Sequence, residues 1–419
     1  MAGLQDLSTE LLIEIVSYIQ DRRTFCNLSI VSRLFHTLTE PFLYESFATY
    51  DLETAVFSFT RTIIERPELA KYVKKADISV GQSVRAAHRY EPTDRFLLQA
   101  KRLDCDPEIW DRLIPGDDVD AMTVLLLHML PNLQELRLSM KEDMEPKFLF
   151  PSNDSKMSSR NAISAHKLLE SLKNLKKVEV WCTEFEELFW MHLLPWLQLP
   201  SLQSFTANEI GSMDSEAHRS DVRFSNVTSL CLTTSVLDKE SLDAILSCCC
   251  NLKSFSYSLA GPSNHWSWAE PDEIVELLSV RVPSTLEHLK FIHHNHDDEF
   301  DDWLGPDWDY QMGSMKALKN LRKIEVDSAA LLGTEERMER HPDIVPSLLR
   351  LFPASIAELS ILYPNRYTLD RVAELARLCG TIFQDLKVVR LGPWVDPAWG
   401  HMKGIERDFE ANGVEFIKL

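Results

Sequence analysis

Glycine is scarce in this chain, 13 among 419 residues. Backbone cradles for phosphate groups are built on glycine-rich turns, so a nucleotide site has little material here. No Gly-rich loop ending in Lys-Ser or Lys-Thr occurs, no Gly-x-Ser-x-Gly elbow and no His-Glu-x-x-His. The reading is a non-catalytic protein without a cofactor. Positive charge is also short: 44 Lys and Arg face 64 Asp and Glu, a net charge of −20. No basic stripe with interleaved aromatics appears, and phosphate-rich partners would be repelled, so no nucleic-acid partner is expected. The cluster Lys71, Lys74, Lys75 is too short for a nuclear signal and reads as a solvated face.

Long apolar runs are missing as well. The longest uncharged stretch, between Glu187 and Glu209, is broken by Pro195, Gln198, Pro200 and Gln203, so no membrane partner is expected. Met1 to Asp6 holds no basic residue, and Glu10 and Glu14 interrupt the following apolar residues. The expectation is a protein that is not secreted and works in the cytoplasm, the nucleus or both. Eight cysteines show no Cys-x-x-Cys and no His at zinc-ligand spacing, so neither a disulfide framework nor a zinc site is expected, and free buried thiols are the reading. The run from His293 to Asp302 holds three histidines and several carboxylates, but its spacing fits neither an EF-hand nor a zincin. It reads as a solvated acidic loop rather than a metal site.

What is present begins at Leu4. Leu11, Ile15 and Tyr18 follow one helical line and Leu12, Val16 and Ile19 the adjacent one, leaving mainly Glu10, Glu14 and Ser17 for water. A helix packed only on its own domain needs a single stripe, so the second line implies a partner. Ser8 or Asp6 can cap the start, and Glu10 suits the positive end of the macrodipole. A second helix is expected from about Thr24 to Leu38, with Leu28, Val31, Leu34 and Phe35 at helical spacing and Pro41 stopping it.

These residues resemble the F-box, the segment by which substrate receptors of SCF-type ubiquitin ligases bind the Skp adaptor. Leu7, Glu10-Leu11-Leu12, Ile15, Tyr18-Ile19, Leu28, Val31-Ser32, Arg33 and Phe35 stand at the places of the family pattern, with Ser8 in place of the customary proline. The resemblance implies a three-helix domain over residues 1–50 that binds the adaptor through Leu7, Ser8, Glu10, Leu11, Leu12, Ile15, Tyr18, Ile19, Leu28, Val31, Arg33 and Phe35. Through the adaptor it implies a cullin.

Beyond residue 50 the chain repeats. A small polar residue, an aliphatic, two variable residues, an apolar residue, a variable one and another apolar residue recur nine times, at Asn132, Asn174, Ser201, Asn226, Asn251, Thr285, Asn320, Ser355 and Asp385. Weaker copies are Val73-Ala76-Ile78 and Val414-Ile417-Leu419. The intervals run from 25 to 42 residues, inside or just above the range of leucine-rich repeats. A strand followed by a helical stretch cannot bury its inner face alone, whereas stacked copies can. The fold class is therefore α/β: a three-helix F-box, then over 51–419 an irregular leucine-rich-repeat solenoid, a horseshoe with a parallel strand ladder. A helical-repeat array or a mixed α/β domain is the competing reading. The chain resembles irregular leucine-rich-repeat F-box proteins abundant in fungi, but lacks the Asn that normally follows the strand and bonds neighbouring turns. Loop insertions are expected near 104–120, 141–162 and 293–312.

Tryptophans fall after strands: Trp266 and Trp268, Trp303 and Trp308, Trp394 and Trp399. Segments leaving the same end of successive strands gather on one rim, where aromatic residues are favoured anchors for proteins. Together with the F-box resemblance this gives a substrate-recognition subunit that holds a protein substrate on that rim. A repeat scaffold that does not direct ubiquitination is the alternative.

Overall fold

The structure is a computed structural model that describes residues 7–49, 54–80, 93–103, 105, 118–140, 149, 167–182, 189–212, 226–259, 268–292, 311–341, 345–393 and 402–419. The chain divides into two compact units, Met1–Trp181 and Cys182–Leu419.

The first unit opens with three helices, α1 Thr9–Ser17, α2 Arg22–Ser29 and α3 Arg33–Leu43. The single helix expected from Thr24 to Leu38 is two. Ser32 takes an extended conformation and its hydroxyl accepts from Phe35 N–H at 3.2 Å, which starts a new helix. Pro41 does not stop that helix. It forfeits only its own N–H bond, while Tyr44 N–H still reaches Glu40 O at 3.2 Å and Phe42 stacks on Phe25 at 5.5 Å.

Four parallel strands follow: β1 Ser46–Ala48, β2 Lys75–Val80, β3 Glu135–Met140 and β4 Lys177–Trp181. Each lies beside the one before it, with Phe47 opposite Ala76, Ala76 opposite Leu136, and Leu136 opposite Val178. β1 falls inside the segment read as the helical domain and carries no copy of the motif. Helices Thr54–Glu65 and Val119–His128 make the return crossings, and Val119 to Leu127 are all buried, Asp120 and Thr123 included. The loop expected at 104–120 ends sooner than its acidic residues suggested. Asp118 caps Ala121 N–H at 2.9 Å and Asp120 is buried inside the helix. The rest of that span apart from Cys105, residues 141–162 apart from Leu149, and 293–310 lie outside the described residues. Leu149 and Met312 are buried.

The second unit continues the same plan with β5 Ser204–Asn208, β6 Ser229–Ser235, β7 Ser254–Leu259, β8 His288–Ile292, β9 Lys323–Asp327, β10 Glu358–Leu362, β11 Val388–Leu391 and β12 Glu415–Lys418. All neighbours are parallel and consecutive. Register puts Phe205, Leu230, Phe255, Leu289, Ile324, Leu359 and Val389 in one buried row, and Ala207, Leu232, Tyr257, Phe291, Val326, Ile361 and Leu391 in a second. These are the two apolar positions of the repeat, and Tyr257 stacks on Phe291 at 5.8 Å across the ladder. The terminal copy is displaced by one residue. Phe416, not Ile417, pairs with Val389, and Gly413 takes a positive φ of 73 in the turn before β12.

In four repeats the opening asparagine ties its repeat to the previous one. Asn132 Nδ2 donates to Lys71 O at 2.8 Å, Asn174 to Pro131 O at 2.9 Å, Asn226 to Pro200 O at 2.7 Å and Asn320 to Ser284 O at 2.6 Å. Each acceptor lies immediately before the matching position of the preceding copy. The inter-turn bond missing after the strand is thus made before it. Among the described residues no helix is long and apolar enough to cross a membrane.

Candidate functional site

Side-chain caps start α2 and α3, and a small core holds the three N-terminal helices together. Ser8 occupies the N-cap of α1, yet its hydroxyl does not cap the helix amides. The Glu10 carboxylate accepts from its own N–H and from the Ser8 hydroxyl, which holds it below the usual carboxylate range. Asp21 caps α2, accepting from Thr24 N–H at 2.9 Å, Arg23 N–H at 3.2 Å and the Thr24 hydroxyl at 2.7 Å. The Thr24 hydroxyl and these two amides keep Asp21 ionised below its ordinary range. Beneath lie Leu12, Phe35 and Leu38, with Leu28 packed against them. The module is anchored to the first repeat by Glu40 with Arg66, by Lys74 Nζ to Glu45 at 2.9 Å, and by Phe47 stacked on Phe59 at 4.1 Å.

This core uses only part of the apolar surface. Leu11 is 48% exposed, Ile15 44%, Tyr18 77%, Ile30 83% and Val31 62%. Leu7, Ile13 and Leu34 are exposed too, so that eight of the thirteen exposed large apolar side chains among the described residues fall between Leu7 and Leu34. Single exposed apolar residues need no explanation, but so dense a group is the pattern expected of an interaction surface.

Of the residues named from the sequence, Leu7, Ser8, Glu10, Leu11, Ile15, Tyr18, Val31 and Arg33 lie exposed and Ile19 and Leu28 are half-buried. Leu12 and Phe35 face the module's own interior and support the surface from beneath. Ile13, Ile30 and Leu34 are additional members. Ile30 is the most exposed because the α2–α3 break lifts it out of any helical stripe, a feature invisible when the two helices are read as one.

The tryptophan rim is represented by Trp268 alone, half-buried just before the helix Pro271–Arg281. Trp266, Trp303, Trp308, Trp394 and Trp399 lie outside the described residues, as does the run His293 to Asp302. None of the eight cysteines is in a disulfide. Burial pushes the Cys248 thiol up to about 11, which makes it a poor nucleophile. Tyr257 is fully buried with its hydroxyl donating to Ser235 O at 3.1 Å and accepting from Leu237 N–H at 3.3 Å.

No protein-family model matches the chain, and no curated protein matches it. Among solved structures it is similar to a chain of the crystal structure of the Rad7 and Elc1 complex in yeast, at 12% identity over 95% of this chain and 96% of that one, with a TM-score of 0.28. A likeness that slight assigns neither fold nor function.

Proposed function

We propose that this chain is the substrate-recognition subunit of an SCF-type ubiquitin ligase. The N-terminal helices bind a Skp-type adaptor and, through it, a cullin, while the repeats hold a protein substrate. The chain performs no bond-making itself, and its contribution to ubiquitin transfer by other subunits is proximity and orientation. The observation that carries this reading is the exposed apolar group on α1 and the α2–α3 turn, on a module whose small core is formed without it. Its residues are those that resemble the F-box.

Recovery of partners by the tagged full-length chain tests the reading. The double variant L11E/I15E places charge on two exposed side chains, so it is expected to fold and to lose adaptor and cullin together. Recovery of neither protein by the unaltered chain overturns the ligase reading. A captured partner whose abundance does not change when L11E/I15E replaces the native chain identifies a scaffold instead.

A further inference from the structure

In the second unit, the edge where helices end and strands begin carries five cations that pair with no described carboxylate. Lys316, Lys319 and Arg322 lie on the crossing into β9, Arg350 on the crossing into β10 and Lys387 on the crossing into β11. All five are exposed, and none forms an ion pair with a described residue. Their neighbours on the strands behave otherwise. Lys290 pairs with Glu325 at 2.5 Å and Arg390 with Glu358 at 2.8 Å, while on the edge itself Lys253, just before β7, pairs with Glu287, just before β8, at 3.3 Å. In a chain with net charge −20, acidic partners for lysine are abundant; on this edge Glu287, one ladder step from Arg322, is engaged by Lys253, Glu415 stands one step beyond Lys387, and over residues 316–322, 350–357 and 383–387 the single carboxylate is Asp385.

The backbone fixes the spacing of this row. Ala357 N–H donates to Arg322 O at 2.7 Å and Lys387 N–H to Ala357 O at 2.8 Å, so Arg322 and Lys387 stand two ladder steps apart, about 9.6 Å. The Ser314 hydroxyl donates to Arg350 O at 3.2 Å, which holds the crossings into β9 and β10 side by side. Cations near helix C-termini can simply complement the macrodipole, but that effect fades within the last turn. Arg322 lies beyond the turn Met315–Ala317 and Lys387 beyond the helix Arg366–Ile382, out of its reach.

We infer that this edge docks an acidic protein segment. An extended chain advances about 3.3 Å per residue, so carboxylates three residues apart span about 10 Å and meet Arg322 and Lys387 in turn. That the segment belongs to a ubiquitination substrate rests on the receptor reading. That the edge binds acidic chains does not.

The probes are a fluorescent peptide of Glu-Gly-Ser repeats, the same composition with its glutamates contiguous, and a thymidine oligonucleotide of equal length, each titrated against the full chain. The spaced peptide is expected to bind most tightly, to weaken as salt rises from about 0.05 to about 0.2 M, and to lose about tenfold in Kd with K319E/R322E/K387E at unchanged melting temperature. Should that variant not fold, K319Q/R322Q/K387Q takes its place. Equal binding by native and variant chains overturns the inference, as do the absence of saturable peptide binding and tighter binding of the oligonucleotide. L11E/I15E is expected to bind the peptide normally and K319E/R322E/K387E to recover the adaptor normally, which separates this docking edge from the ligase reading.

Discussion

Asn320 and His128 illustrate how much a single side chain decides in a repeat fold. The Asn320 carboxamide closes one turn on the next through Ser284 O, a bond worth about 0.5–1.5 kcal/mol net. Asn320→Ala is expected to lower stability by about that amount, and Asn320→Asp by at least as much, because the carboxylate keeps the shape but has no donor for the carbonyl. Urea unfolding of the three proteins checks the order, and an aspartate as stable as the asparagine would refute the bond's role. Burial pushes His128 down to about 4, with the charge of Lys167 adding to the effect. The native state therefore holds its imidazole neutral where the unfolded chain, near 6.5, takes up a proton. This contribution is fully present above pH 6.5, falls as pH drops through the window from about 6.5 to about 4, and amounts to about 3 kcal/mol. His128→Gln is expected to flatten that part of the stability profile, measured as melting temperature against pH. The opening asparagines were legible as a recurring residue type, but their bonds were not, since the acceptors lie a whole repeat away, 26 to 61 positions back along the chain.

At the scale of elements, the strands were readable because apolar residues two apart recur after a fixed polar and aliphatic lead, and nine such copies fall on β3 to β11. β1 was not, because Ser46-Phe47-Ala48 holds one apolar side chain long enough to register and pairs only through its neighbour β2. The N-terminal helices show the opposite failure. Hydrophobic spacing from Leu28 to Leu38 carries across the break, and only the extended Ser32 reveals it. Ser32→Ala is expected to cost about 1 kcal/mol and to speed amide exchange in α3 while leaving β5 to β12 unchanged. Equal exchange in α3 would mean that tertiary packing alone sets its start. Proline at 41 misled for a related reason, since a residue near a helix end has few intrahelical bonds left to lose.

For the molecule as a whole, the two proposed surfaces differ in legibility. The doubled apolar face of α1 could be read from Leu11, Ile15 and Tyr18 because helical periodicity is local. The basic edge could not, because Lys387 comes beside Lys319 and Arg322 only through the parallel register of β9, β10 and β11. The central claim concerns the first surface: the exposed group from Leu7 to Leu34 is covered by a Skp-type adaptor. Calorimetric titration of purified adaptor into the full-length chain, at several temperatures, measures it directly. The account expects saturable one-to-one binding with a negative heat-capacity change, the mark of apolar burial, and loss of that binding in L11E/I15E. Absence of binding by the native chain, or undiminished binding by the variant, would contradict it.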